Sequence, residues 1–452
     1  MKLCVLGGAG FRTPFVHQAL LRDTGSPRVD EVALHDVDAT RLQGMVRILQ
    51  EMARGFPDAP RITATTQLAP ALEGSDFVFA AVRIGGLTGR CRDERVALDL
   101  GVLGQETTGP GGIAYALRTV PYALRVAEQV RRLAPDAWFL NFTNPAGIVT
   151  EAVQSVLGDR VVGICDTPSG AVRRIADQLG LDHRRVHADY VGLNHLGWLR
   201  RVLHDGTDVL PRLLQDRAAL QVLEEGLVFG ADWLRTLGSV PNEYLYYYYA
   251  NREAVRTLRE ARETRGEFLL RTQGAFWEEL ARTTEGAADL WRATVSARSA
   301  SYMAEAKGGV QGAPEHPGQP ELDPAQQGYA GVALGVMAAI SRDERSTVIL
   351  NIRNHGTVAG LPDDAVVEVP TTVDADGVHP LPTPAPDLHQ LGLMQQVKAV
   401  ERHAIAAAVH GDRTEALKAF ALHPLVGSVA LARELLDGYV ERIPEVAAVF
   451  ER

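Results

Sequence analysis

The sequence predicts an α/β protein: an N-terminal parallel sheet with helices on both faces, followed by an α+β unit. Three observations predict it. Strand-like and helix-like segments alternate over the first 180 or so residues, the pattern that builds βαβ units. The first apolar run leads straight into a glycine turn, Gly7-Gly8-Ala9-Gly10. After about residue 183 the alternation gives way to extended segments, charged helices and an Ala-rich end. The chain therefore divides into residues 1–180 and a mixed α+β unit with a helical C-terminus, 181–452.

Residues 3–6 form a short apolar strand. Residues 14–21 follow as a helix, with Thr13 as N-cap and Pro14 at the first helical position. Residues 32–35 are a second strand and 40–54 a helix. Residues 77–82 are a continuous apolar strand, and Arg83, Arg90 and Arg92 lie in or beside a Gly-rich loop after it. Residues 114–133 are helical, with a kink expected at Pro121. Residues 137–142 and 161–165 are further strands, each leading into a helix. Beyond them, 186–203 is extended and 251–268 is one long charged helix. Residues 313–327, rich in Pro, Gly and Gln, read as a mobile loop or lid. Residues 347–352 and 365–370 are strands, and 371–386 is a Pro/Asp-rich connector. From His389 apolar residues recur at helical spacing.

The bulk numbers exclude several classes. With 452 residues, 46% of them hydrophobic, the chain can bury a large core. A formal charge of −10 leaves no basic footprint for nucleic acid. The apolar runs are too short for a membrane span, and the N-terminus does not read as a signal peptide. Cys4, Cys91 and Cys165 give no disulfide framework, so a reducing cytoplasm is expected.

The glycine turn follows G-x-G-x-x-G without the third glycine. Between a strand and a helix it reads as a Rossmann-like dinucleotide cradle, where backbone and helix N-terminus face a pyrophosphate. Gly7, Gly8, Gly10, Phe11 and Arg12 are its candidate contacts. Asp36 ends the second strand, where a carboxylate selects the ribose hydroxyls of NAD over NADP. Asn144, at the end of another strand, suits a sugar or ribose hydroxyl as well as a helix cap.

Cys165, in Gly163-Ile164-Cys165-Asp166, and His195, in Gly192-Leu193-Asn194-His195, each close a strand-like segment. A thiolate and an imidazole can hold a divalent metal, with substrate oxygens completing the set. Each also suits a buried structural role. Residues 241–249 carry five tyrosines, mostly an aromatic packing face, of which one phenol can serve as a base beside a metal.

Several stretches together resemble one family. They are GGAGFRTP at 7–14, RIGGLTGRCRDE at 83–94, LGQETTGPGGIAYALRTVP at 103–121, NFTNPAGIVTEA at 141–152, GICDTPSG at 163–170, GLNHLGW at 192–198 and LPDDAVVEVP at 361–370. The chain is identified on these as a member of glycoside hydrolase family 4, the NAD- and manganese-dependent glycosidases, which depart from two-carboxylate hydrolysis. Among subgroups it most resembles the 6-phospho-β-glucosidases.

The resemblance implies a redox route: hydride removal from sugar C3 by NAD, C2 deprotonation by Tyr244, elimination of the aglycone, water addition and hydride return. It implies Mn²⁺ on Cys165 and His195, and Arg90, Glu106, Asn144 and Asn194 around the sugar. It further implies a phosphorylated glycoside as substrate and a homodimer or homotetramer. Two positions depart from its pattern. Gly10 stands where many relatives carry a serine near the 6-phosphate. Asp166 follows the metal cysteine, where β-acting relatives often have Asn and 6-phospho-α-glucosidases have Asp as general acid. The alternatives are therefore a 6-phospho-α-glucosidase, a glycosidase of a non-phosphorylated or acidic sugar, and, in another class, an NAD-dependent 2-hydroxy-acid dehydrogenase.

Overall fold

The computed structural model describes residues 1–300 and 328–451. Five parallel strands follow from the apolar runs of the first half, β1 (Lys2–Leu6), β2 (Glu31–His35), β3 (Arg61–Thr65), β4 (Phe77–Ala80) and β5 (Trp138–Asn141). A sixth, β6 (Val161–Gly163), pairs parallel with β5. Alternate residues serve opposite faces. Leu3 and Val5 pack with Val16, Leu20, Met45 and Leu49 on one side. Cys4 and Leu6 pack with Val126, Val130 and Val153 on the other. Helices therefore cover both faces, as continuous apolar strands require.

The second half extends the same sheet. Its strands are β7 (Val186–Leu193), β8 (Leu196–His204), β9 (Thr207–Asp208), β10 (Val240–Pro241), β11 (Ser346–Arg353), β12 (Val366–Asp374) and β13 (Gly377–Pro380). The order is β10-β8-β7-β12-β11-β6-β5-β4-β1-β2-β3, with β13 on β12 and β9 on β8. β6 and β7 are consecutive in the chain, yet β11 and β12 lie between them. The Ala-rich end packs as helices Leu388–His410, Arg413–Leu422 and Val429–Arg442 against Pro110–Leu133 and Gly86–Asp99.

Five expectations are corrected. Thr13 is the first residue of the helix Thr13–Arg22, whose N-cap is Arg12 with no side-chain cap bond. The Gly-rich loop is short: Gly85, at φ +81°, leads directly into the helix Gly86–Asp99, so Arg90 and Arg92 are helical. The helix through Pro121 begins at Pro110, not at residue 114. Residues 251–268 form two helices, Asn251–Glu260 and Arg265–Arg282, because Thr264 and Glu267 close a capping box that restarts the backbone. The 371–386 connector is largely a hairpin: β12 continues to Asp374 and pairs with β13. The 313–327 lid expectation lies outside the described residues. Among the described residues, no helix is long and apolar enough to cross a membrane.

Candidate active site

The carboxyl ends of the parallel strands supply the first wall. Gly7 turns at φ +80°, and a Cβ there would meet the carbonyl oxygen of Ala81 at 2.5 Å. The amides of Gly7 and Gly8 donate to His35 O at 3.0 and 2.8 Å. The amide of Ala9 donates to Asp36 Oδ2 at 3.1 Å, which ties the turn to the carboxylate that ends β2. Gly10 lies under Gly7, where a Cβ would come within 2.9 Å of its oxygen. The Phe11 ring is buried against Phe276 and Trp277, so it anchors the turn and leaves its backbone for a ligand. Arg12 donates to Phe142 O at 3.2 Å and points into the cleft.

That cleft gathers residues from distant segments. Arg12, Arg90, Glu106, Asn144, Cys165, Asp166, Asn194, His195 and Tyr244 all line it. Asn144 precedes Pro145 through a cis peptide. Asp166 occupies the N-cap position of the helix Thr167–Leu179. Leu193 pairs with Leu196, so Asn194-His195 forms a two-residue turn between β7 and β8. His195 adopts φ +62° there. A non-glycine residue in that region is strained, and such strain gathers at functional sites.

The His195 ring lies face to face with Tyr244, centroids 3.7 Å apart and planes within 2°. Its Nδ1 is buried with no hydrogen-bond partner. Burial lowers its pKa to about 3, so the imidazole is neutral and keeps a lone pair to offer. Burial, with Glu368 and Asp166 nearby, pushes the Cys165 thiol well above its ordinary value. A thiolate there needs a cation beside it, and a divalent metal is such a cation. Among the described residues no cluster of three or more His, Cys, Asp or Glu side chains can hold a metal. A thiol and a neutral imidazole facing one cleft are a donor pair that fits a divalent metal.

Glu106 is more constrained than its sequence suggests. Its Oε1 accepts from Arg90 Nη1 at 2.7 Å, and its Oε2 pairs with Arg83. Burial alone would raise its pKa, but Arg83 and Arg90 outweigh that and hold it at about 2. Arg90 also meets Glu94 at 2.8 Å, so the wall is a clamped ion network. Sequence reasoning misses Arg265 and Arg298, which also line the cleft and join through Arg265 Nη2 to Arg298 O at 2.9 Å. The signal for Arg265 is the Thr264-x-x-Glu267 cap, which places it in a helix's first turn. Of the five tyrosines, Tyr244 and Tyr247 reach the cleft. Tyr248 stacks on His423, and Tyr249 accepts from Trp198 Nε1 at 2.8 Å.

A parallel sheet, a glycine turn between strand and helix, and a Cys–His pair at the strand ends are the features of a dinucleotide-fold α/β enzyme. Two family models narrow this: "Family 4 glycosyl hydrolase" matches residues 2–181, and "Family 4 glycosyl hydrolase C-terminal domain" matches 190–426. The chain belongs to family 4 of the glycosyl hydrolases, as its motifs imply. It is 30% identical to the probable 6-phospho-β-glucosidase of Bacillus subtilis strain 168, over 98% of this chain and 96% of that one. A solved 6-phospho-β-glucosidase from Thermotoga maritima with NAD and glucose 6-phosphate superposes with TM-score 0.82 at 27% identity, covering 99% of both chains. A 6-phospho-α-glucosidase from gut microorganisms, in complex with NAD and Mn²⁺, superposes with TM-score 0.80 at 26% identity, covering 98% of both.

Proposed function

We propose that this chain is an NAD- and divalent-metal-dependent glycosidase that cleaves a 6-phospho-β-glucoside. One observation carries the reading: Cys165, His195, Tyr244, Asn144 and Asn194 face a single cleft that Arg12, Arg265 and Arg298 also line. Arginines gathered on one cleft suit a phosphorylated sugar. The NAD, Mn²⁺ and glucose 6-phosphate named with its relatives support the same choice. Residues 1–180 would hold the nucleotide, and residues 181–452 bring His195, Tyr244 and Arg265 to the sugar. Three free cysteines suit a cytoplasmic setting.

Cys165 and His195 would hold the metal, and the glycine turn with Asp36 would hold NAD. When bound, these groups supply reversible hydride exchange at C3 and Lewis-acid polarisation of the C2 and C3 oxygens. The chain's own residues do the rest. Asn144 and Asn194 orient sugar hydroxyls, while Glu106 fixes the aim of Arg90. With C3 a ketone, the C2 proton is acidic, and Tyr244 Oη takes it. The C1–O bond breaks by elimination, and Asp166, at a helix N-terminus, stands to protonate the departing oxygen. Water then adds at C1, its proton going to Asp166, and Tyr244 returns its proton to C2; hydride return from the bound cofactor would leave the cycle with no net redox change.

Asp166 favours a second reading in which the scissile bond is α-linked, because the resemblance places Asp here in 6-phospho-α-glucosidases and often Asn in β-acting relatives; the carboxyl is the general acid in either reading. The deciding experiment is nitrophenol release from nitrophenyl 6-phospho-β-glucoside, run beside its α-anomer and the unphosphorylated glucoside. The β-phosphate substrate should be cleaved fastest, with activity lost when either NAD or Mn²⁺ is withheld. Faster cleavage of the α-anomer selects the second reading. Stoichiometric NADH accumulation would overturn both in favour of a dehydrogenase.

A further inference from the structure

One register row crosses the sheet at the strand ends: His35, Leu6, Ala80, Asn141, Gly163, Asn351, Glu368, Gly192 and Gly197. Residues in one row share a face. Asn351 and Glu368 are fully buried within it. The glycines clear space around them. A Cβ at Gly163 would meet Asn351 Cβ at 2.9 Å, and one at Gly197 would meet the Tyr190 hydroxyl at 2.3 Å. The glycines that open the Cys165 motif and flank the His195 turn thus make room for a buried polar cluster.

Glu368 is the centre of that cluster. Its Oε1 accepts from Asn351 Nδ2 at 2.8 Å, and more distantly from Asn194 Nδ2 at 3.5 Å. Its Oε2 accepts from the Tyr190 hydroxyl at 3.0 Å. That hydroxyl accepts from Asn242 Nδ2 at 3.4 Å, and Asn242 Oδ1 accepts from the amide of Tyr244 at 3.1 Å. Asn351 Nδ2 also faces Gly163 O, two residues before Cys165, at 3.5 Å. One carboxylate therefore reaches the segments carrying Cys165, His195 and Tyr244. A carboxylate buried in a sheet core is costly unless its oxygens are satisfied, and here both are.

We infer that Glu368 is a positioning residue that fixes the metal pair and the C2 base in one geometry, through Asn351 and Asn194 on one oxygen and Tyr190 and Asn242 on the other. The inference rests on the proposed function, because it assumes that Cys165 and His195 bind a metal and that Tyr244 moves a proton. The two oxygens have separable duties. The Asn351 and Asn194 side steadies the metal pair, and the Tyr190 and Asn242 side aims Tyr244. Outer partners of this kind typically tune metal affinity or activity by ~10–100-fold.

The test pairs Glu368→Gln with Tyr190→Phe in the full-length protein with NAD. Mn²⁺ affinity is read from loss of the free-Mn²⁺ electron paramagnetic resonance signal, and turnover from nitrophenol release. Glu368→Gln keeps the shape but puts a donor against the Tyr190 hydroxyl, and should lower both Mn²⁺ affinity and kcat by ~10-fold or more. Tyr190→Phe should lower kcat and leave Mn²⁺ affinity as in wild type. Variants that melt earlier but keep wild-type kcat and Mn²⁺ affinity would overturn the inference, since a purely structural role predicts that result. If Glu368→Gln does not fold, Tyr190→Phe decides: wild-type kcat there overturns the tether. Wild-type protein that binds no Mn²⁺ would instead sink the proposed function, and the tether with it.

Discussion

The glycine turn and the cleft are built by different means. The nucleotide end is mostly backbone: Gly7, Gly8 and Ala9 turn within hydrogen-bond reach of His35 and Asp36, all from the first βαβ unit. The proposed metal end, in the cleft, is mostly side chain: Cys165, His195, Tyr244, Glu106 and Arg265 come from five separate segments. The first is specified by local sequence. The second depends on long-range packing, where a buried polar group without its partner costs more than the bond was worth.

If that contrast holds, the largest effects belong to the metal end and leave the nucleotide end untouched. Cys165→Ser should abolish turnover and Mn²⁺ binding, while NAD binding, followed by fluorescence titration, stays as in wild type. Tyr244→Phe should cost ~10²–10⁴ in kcat with both ligands still bound, as expected for a lost general base. Full activity of Cys165→Ser under chelation would break the comparison at its root.

A smaller effect runs the other way. Gly7→Ala forces a side chain into φ +80° against Ala81 O. Left-handed backbone costs an L-residue about 1–2 kcal/mol, or roughly tenfold in affinity. NAD binding should weaken by at least that much while Mn²⁺ affinity holds. Equal loss of both ligands would mean the two ends are one cooperative unit.

The smallest effect concerns stability. His17 is buried with Nε2 on Leu49 O at 3.1 Å, and burial lowers its pKa from 6.5 to about 4. The folded state thus binds fewer protons than the unfolded state between those values, so stability is present above pH 6.5 and lost as pH falls toward 4. Over the first unit below pH 6.5 the share is about 1 kcal/mol. A His17→Gln variant should show a shallower fall of Tm with acid, measured by calorimetry without ligands. An identical slope would place the acid sensitivity elsewhere.

The same contrast explains what the sequence makes legible. The parallel half can be read because each strand and helix declares itself within a few residues, and the glycine turn sits where a strand meets a helix. Gly85 and Gly86 hide the helix that follows them, because a glycine pair reads as loop although both take positive φ just before helical residues. Cys165, His195 and Tyr244 stand out through their motifs, but their convergence does not. Arg265 carries no mark beyond a helix cap. Glu368, one acid in the apolar run Val366-Val367-Glu368-Val369, looks like an exposed strand position until β12 is seen at the centre of the sheet.

That strand order bears on how the chain comes to exist. β11 and β12 separate β6 from β7, so the segments bearing Cys165 and His195 reach their final spacing after the chain has been made as far as Asp374. Domains tend to form from the N-terminus during synthesis, and long-range strand insertion is slow. The glycine turn can be complete on the ribosome while the segments bearing Cys165 and His195 still await the strands that part them. A nascent chain that captured NAD at that stage would be stabilised by mass action before its second half was made.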